Sequence, residues 1–255
     1  MNCKGLIILI FSVFGMNSQF MANEGHYEDL YEKANEVYKA GNYDSAKVLY
    51  SEIIQNGMVS SELFYNLGNT FYKKGNIPEA ILFFERAHRL SPNDEDIKYN
   101  LEITNTYITD KITPLENVFF TKWWESITYA FSVTTWSVLF ILLLFAAAAL
   151  FTLFGVSNNR KVKQLGLLGG GFVLGASIVV ILLTNSAFNK LNLNQAIVFS
   201  PTVNIKSEPG LNAMDQFVIH EGLKVEIIDT DGDWTRIRLS DGNSGWLQSQ
   251  SIEKI

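Results

Sequence analysis

Two stretches without a charged residue constrain this chain more than any other feature. No Asp, Glu, Lys or Arg lies between Glu125 and Arg160, and none occurs from Gln164 to Asn189. The core of the first, SVLFILLLFAAAALFTLF, is apolar on every face of a helix. The second, around LGLLGGGFVLGASIVVILL, again matches the roughly 20 residues that a spanning helix needs. A two-helix transmembrane hairpin is expected, with spans over 127–156 and 165–186. Its connection, 157–164, holds Arg160, Lys161 and Lys163 and no acid, the composition of a cytoplasmic loop. Both flanking modules are then expected outside the cytoplasm.

The N-terminus gives the same orientation from different residues. Lys4, the apolar run Leu6 to Phe14 and a polar stretch follow the order of an export signal, and the run is too short to span about 30 Å of hydrocarbon. A signal peptide over 1–22 is expected, although Phe20 is bulky where a cut after Ala22 wants a small residue. The single cysteine, Cys3, precedes the apolar run, which argues against a lipoprotein and leaves the rest of the chain without thiol chemistry. A net charge of -6 has the wrong sign for gripping phosphates, so no nucleic-acid partner is expected.

Within the hairpin, Gly166 and Gly170, and likewise Gly171 and Gly175, have a spacing that permits close helix approach, opposite the run Ala146 to Ala149. Packing within the hairpin is the expected use of both pairs, with an oligomerisation seam as the alternative. Phe119, Phe120, Trp123 and Trp124 mark 113–126 as an interfacial linker.

Upstream, the chain resembles itself at a 34-residue period: Leu30 with Phe64, Ala34 with Gly68, Gly41 with Gly75, Ala46 with Ala80 and Tyr50 with Phe84. The stretch SELFYNLGNTFYKKGNIPEAILFFERAHRLSPND resembles a tetratricopeptide repeat, with Phe64, Leu67, Gly68, Phe71, Ala80, Phe84, Ala87 and Pro92 at signature positions. An α-helical array over 27–112 is expected, closed by a capping helix running towards Thr113 and Pro114. The resemblance implies a groove lined from the first helix of each repeat. Carried over, its residues are Glu28, Tyr31, Asn35, Tyr38 and Lys39, then Glu62, Tyr65, Asn69, Tyr72 and Lys73. The five residue types recur identically, which indicates either a peptide-binding groove or recent duplication of one repeat. Tyr offers rigid contact area and Asn can hold a peptide backbone. Alanine at Asn35, Asn69, Lys39 and Lys73 is expected to abolish partner binding without unfolding the array. A carboxylate clamp fits poorly, because Asn35 and Asn66 match it but Tyr31, Asp96 and Asn100 stand where cations belong.

From Ala196 to Ile255 short β-rich runs alternate with Pro-Gly and Asp-Gly turns, the pattern of a small all-β barrel. With Trp234, Gly245 and Trp246 in recurring places, 196–255 resembles the bacterial SH3-like family. Val225, Ile227, Ile237, Leu239 and Leu247 are expected in its core, Gly245 in a turn, and both tryptophans in the framework rather than on a ligand. Asp229 to Asp233 and His220-Glu221-Gly222 read as turns rather than metal or acid/base sites. No nucleophile elbow, Walker loop, dinucleotide fingerprint or zinc spacing occurs in the sequence, so no enzyme activity, metal or cofactor is expected.

In order, export signal, repeat array, cationic-looped hairpin and SH3-like tail resemble the repeat-protein family of the bacterial aerotolerance (Bat) operon. That resemblance, and not composition, implies an inner-membrane complex with von Willebrand factor A-domain membrane proteins and a MoxR-type ATPase, linked to envelope or oxidative-stress tolerance. A scaffold that tethers protein partners is the expected function. The alternative is an envelope sensor whose SH3-like domain binds peptidoglycan peptides.

Overall fold

The computed structural model describes residues 25–113, 119–128, 130–191 and 194–255. The signal peptide expected over 1–22, and residues 114–118 of the expected linker, lie outside them. The chain forms two compact units: the described residues up to Thr113 together with Gln195–Ile255, and the intervening Pro114–Asn194.

In the first unit, α1 (25–39), α2 (Tyr43–Gln55), α3 (Ser61–Lys73), α4 (Ile77–Leu90) and α5 (Glu95–Asn105) build the array. Gly41 and Gly75 turn each hairpin at φ of 80° and 78°, a region closed to most side chains. Side chains of Asn42, Ser60 and Asp94 accept backbone N–H groups at the starts of α2, α3 and α5, supplying the partners those helix ends lack. Ala34, Ala46, Tyr50, Leu67, Ala80, Phe84 and Ala87 are buried, so the periodic positions are the core. A Cβ at Gly68 would lie 2.7 Å from the Phe84 ring, which explains the glycine opposite that large side chain.

The capping helix stops at Asn105, short of the expected approach to Thr113. Lys111 Nζ donates to the carbonyls of Asn105 and Thr106, satisfying the helix end, and the following residues leave for the β-domain. That domain is one seven-stranded antiparallel sheet in the order β3-β2-β6-β5-β4-β1-β7. Its strands are β1 (Gln195–Val198), β2 (Thr202–Lys206), β3 (Asp215–His220), β4 (Lys224–Asp231), β5 (Trp234–Arg238), β6 (Ser244–Gln248) and β7 (Ile252–Lys254). Val225, Ile237, Leu239 and Leu247 are buried, with Ile227 packed against them. Gly245 is not in a turn. It sits within β6 opposite Ile237, where an added Cβ would collide with Ile205 Cγ2, so the glycine serves close strand packing.

The second unit holds α6 (Phe119–Thr128), α7 (Val133–Val156) and α8 (Arg160–Leu191). Val133–Val156 and Arg160–Asn189 are long and apolar enough to cross a membrane. The first begins six residues later than expected, because Ser132 caps α7 and Thr128 closes α6. Most of the expected connection is helical: α8 starts at Arg160 and takes Arg160, Lys161 and Lys163 into its first turn. Gly166 and Gly170 face α7, where a Cβ at Gly166 would lie 2.6 Å from the Leu150 carbonyl oxygen. Gly171 and Gly175 face away, with nothing within 4 Å of an added Cβ, so only one of the two pairs forms the hairpin seam. Trp124 Nε1 donates to Ser186 Oγ at 3.3 Å and Trp136 Nε1 to the Thr128 carbonyl at 3.0 Å, tying α6 to the hairpin.

Candidate functional site

Glu28, Tyr31, Asn35, Tyr38 and Lys39 lie on α1, and Glu62, Tyr65, Asn69, Tyr72 and Lys73 on α3. Steps of three and four residues put Glu28, Tyr31, Asn35 and Tyr38 on one helical stripe, with Lys39 beside its end, and the second set repeats this. The charged members are exposed and the Tyr and Asn members half-buried.

The half-burial has a cause absent from the sequence reading. Asn66 Nδ2 donates to Tyr31 Oη at 2.8 Å and to Asn35 Oδ1 at 3.1 Å. One repeat later, Asn100 Nδ2 donates to Tyr65 Oη at 2.9 Å and to Asn69 Oδ1 at 3.0 Å. Thr70 and Thr104 hydroxyls donate to the carbonyls of Asn66 and Asn100, so the whole unit recurs. The repeated Tyr31/Tyr65 and Asn35/Asn69 identities therefore form, with Asn66 and Asn100, a hydrogen-bond ladder that joins consecutive first helices. Alanine at Asn35 or Asn69 would remove a ladder acceptor, a cost to the array that the groove reading alone does not include; Lys39 and Lys73 stand outside the ladder.

Asn66 and Asn100, absent from the expected groove set, are its shared donors. The signal was the triplet Tyr65-Asn66-Leu67 recurring as Tyr99-Asn100-Leu101. In the first rung Tyr50 Oη also donates to Asn35 Oδ1 at 2.6 Å, whereas Phe84, its 34-residue counterpart, only packs its ring 5.8 Å from Tyr65. Burial pushes the Tyr50 hydroxyl far above the ordinary tyrosine range, with Tyr31 and Tyr38 adding to it. Burial also raises the Tyr31 hydroxyl, and the Glu62 carboxylate raises it further.

What the ladder leaves over is ordered polar capacity. Asn35 and Asn69 spend their amide oxygens and keep Nδ2 donors, while Asn66 and Asn100 spend Nδ2 and keep Oδ1 acceptors; none of these remaining atoms has a partner among the described residues. Donor and acceptor thus alternate along the array, fixed in orientation by the bonds already made.

The array and the β-domain share a joint. Lys224 Nζ donates to Glu85 Oε2 at 2.7 Å, and Asp110 accepts the His220 backbone N–H at 2.6 Å while its other oxygen lies 2.9 Å from His220 Nδ1. Arg86 donates to Glu253 and to the Lys254 carbonyl, and Arg89 donates to the Ile255 carbonyl. Ile108 and Ile112 pack on the β-domain core, and Ile197 is buried in the core of the repeats. Gly222, at φ of 83°, admits Ile108: an added Cβ would lie 2.6 Å from its Cγ2. The expected turn at His220-Glu221-Gly222 is thus also a contact surface for the array. Trp234 and Trp246 are half-buried in β5 and β6.

Comparison with known proteins supports both modules. The tetratricopeptide repeat family matches residues 61–94, and the bacterial SH3 domain family matches residues 201–253. A Bacillus subtilis protein, YrvJ, whose name describes it as a candidate N-acetylmuramoyl-L-alanine amidase, is 30% identical over 82 residues. That match covers 30% of this chain, and the chain spans only 16% of the amidase's length. The chain therefore carries a tetratricopeptide repeat and a bacterial SH3 domain, modules suited to binding other proteins.

Proposed function

We propose that this protein is a non-enzymatic, membrane-anchored adaptor that holds a segment of a partner protein along the first-helix face of its repeats. The alternating Asn donors and acceptors carry this reading, because an extended backbone offers C=O and N–H groups to both kinds and the ladder already orders them. The hairpin fixes the site beside the bilayer and raises the effective concentration of partners in the same membrane.

Residues on both sides of the hairpin in sequence form one folded unit, and two spans return a chain to its starting side. This supports a common side for array and SH3 domain. With the cationic connection, that side is periplasmic and the membrane is the bacterial inner membrane. The architecture's likeness to the Bat operon proteins makes von Willebrand factor A-domain membrane proteins and a MoxR-type ATPase system the first partners to test, in envelope or oxidative-stress tolerance.

Photo-crosslinkers at Lys39 and Lys73, with Val48 as the exposed position outside the groove, test the site in intact cells. Protein adducts are expected only from the two groove positions, and equal adducts at Val48 would overturn the reading. Single cysteines at Ser45, Asn158 and Asp241 in a Cys3→Ser background test the orientation: a reagent confined to the periplasm labels the first and last only.

The partial likeness to the amidase, beside the bacterial SH3 domain, favours one second reading, an envelope sensor that binds peptidoglycan peptides. Co-sedimentation of the full chain with purified cell wall, lost on Trp246→Ala but kept on Lys73→Ala, would establish it in place of the adaptor.

A further inference from the structure

The same stripe carries a charge pattern that specifies the occupant. Glu28, Glu62 and Asp96 recur at the 34-residue period, one on the first turns of each of α1, α3 and α5, and all are exposed with no side-chain partner among the described residues. Glu28 and Glu62 each stand three residues before a ladder tyrosine, Tyr31 and Tyr65, and Asp96 stands three before the exposed Tyr99 at the same period. That three-residue spacing sets Glu28 and Glu62 on the same helix faces as Tyr31 and Tyr65, and the Glu62 carboxylate, after burial, helps raise the Tyr31 hydroxyl across the two helices. At the other flank Lys39 and Lys73 are likewise exposed and unpartnered among the described residues. That row ends at Tyr107, whose hydroxyl lies 3.3 Å from that of Tyr72, so the cationic flank is one rung shorter than the acidic one.

We infer that the groove takes an extended polypeptide segment carrying a row of Lys or Arg side chains, held by the carboxylates of Glu28, Glu62 and Asp96. The inference rests on the adaptor reading and adds the partner's chemistry to it. Three carboxylates face one flank of a bound segment against two ammonium groups on the other, so the face discriminates by charge while the Asn ladder engages the backbone regardless of sequence.

The test uses the full chain in nanodiscs of zwitterionic lipid and peptides of equal length in which Ser alternates with Lys, Glu or Gln. The Lys peptide is expected to bind about tenfold tighter than the Gln peptide, an advantage that shrinks with salt. The Glu28→Lys, Glu62→Lys, Asp96→Lys variant is expected to reverse that order in favour of the Glu peptide. The same charge change at Asp229, Asp231 and Asp233 in the SH3 domain is expected to leave the order unchanged, which separates the groove from the net charge of -6. If all three peptides bind equally and compete for photo-crosslinking at Lys73, the charge inference fails and the adaptor reading stands. If none binds or competes there, both fail. Equal reversal by the SH3-domain variant would also overturn the inference, leaving only non-specific attraction.

Discussion

The repeat array and the apolar hairpin each bring two helices together at a glycine, and for opposite reasons. At Gly68 the space is filled by the fully buried Phe84 ring, so the glycine admits a large apolar side chain that water drives inward. At Gly166 the neighbours are the Leu150 carbonyl and the Phe154 amide, so the glycine admits backbone. A hairpin in lipid has no comparable hydrophobic gain from association and relies on close packing instead. Helix contacts in the array and in the apolar hairpin therefore have different points of weakness.

The largest effects should come from these glycines. Gly68→Val drives a methyl-bearing carbon into an aromatic ring with no room to yield; a loss of about 3 kcal/mol is expected, seen as a fall in Tm on the order of 10 °C. Gly166→Val should separate α7 from α8, read as lost disulfide formation between cysteines placed across the seam. Gly171→Val should leave that cross-link intact, since nothing lies within 4 Å of its added Cβ. Equal behaviour of the two hairpin variants would remove the distinction between seam and outer face.

The joint should respond next. Asp110→Ala removes two bonds to His220, and Glu85→Ala leaves Lys224 without its partner, although Lys224 is partly in water. Each should cost roughly 1–2 kcal/mol and split one urea transition of array and SH3 domain into two. A single transition in both variants would show that the apolar contacts of Ile108, Ile112 and Ile197 suffice.

The smallest effect is a pH dependence. Tyr50 is neutral and buried, and its raised pKa makes the folded state hold a proton that the unfolded state loses near pH 10. Its stabilisation is complete below that value and declines as pH rises through the unfolded pKa towards the folded one. Tyr50→Phe, which copies Phe84 of the next repeat, should cost about 1 kcal/mol at neutral pH and flatten the alkaline decline. An unchanged decline would assign it to Tyr31 or Tyr38, whose hydroxyls burial also raises.

The repeat pattern, the β-domain and the two apolar helices were legible because each follows from a short-range rule: a 34-residue period, alternation with turn signals, and length of an uncharged run. The ten expected groove positions were also legible as a stripe. Their reason was not, because whether a recurring Asn serves a ligand or the next helix depends on where its amide points. Asn66 and Asn100 were visible as a recurring triplet, but only the packed helices bring their Nδ2 atoms within hydrogen-bonding distance of the previous repeat.

By itself, then, the sequence determined which segments become helices, strands and candidate spans, since hydrophobic period and turn chemistry act over a few residues. Only the tertiary structure decided that the SH3 domain is docked on the array, that one glycine pair forms the seam and the other faces away, and that Tyr31, Asn35, Tyr65 and Asn69 brace the repeats. Those decisions rest on pairs such as Glu85 with Lys224 and Asp110 with His220, separated by 139 and 110 residues. Such pairs have no period, and their energies exist only once folding has brought the partners together.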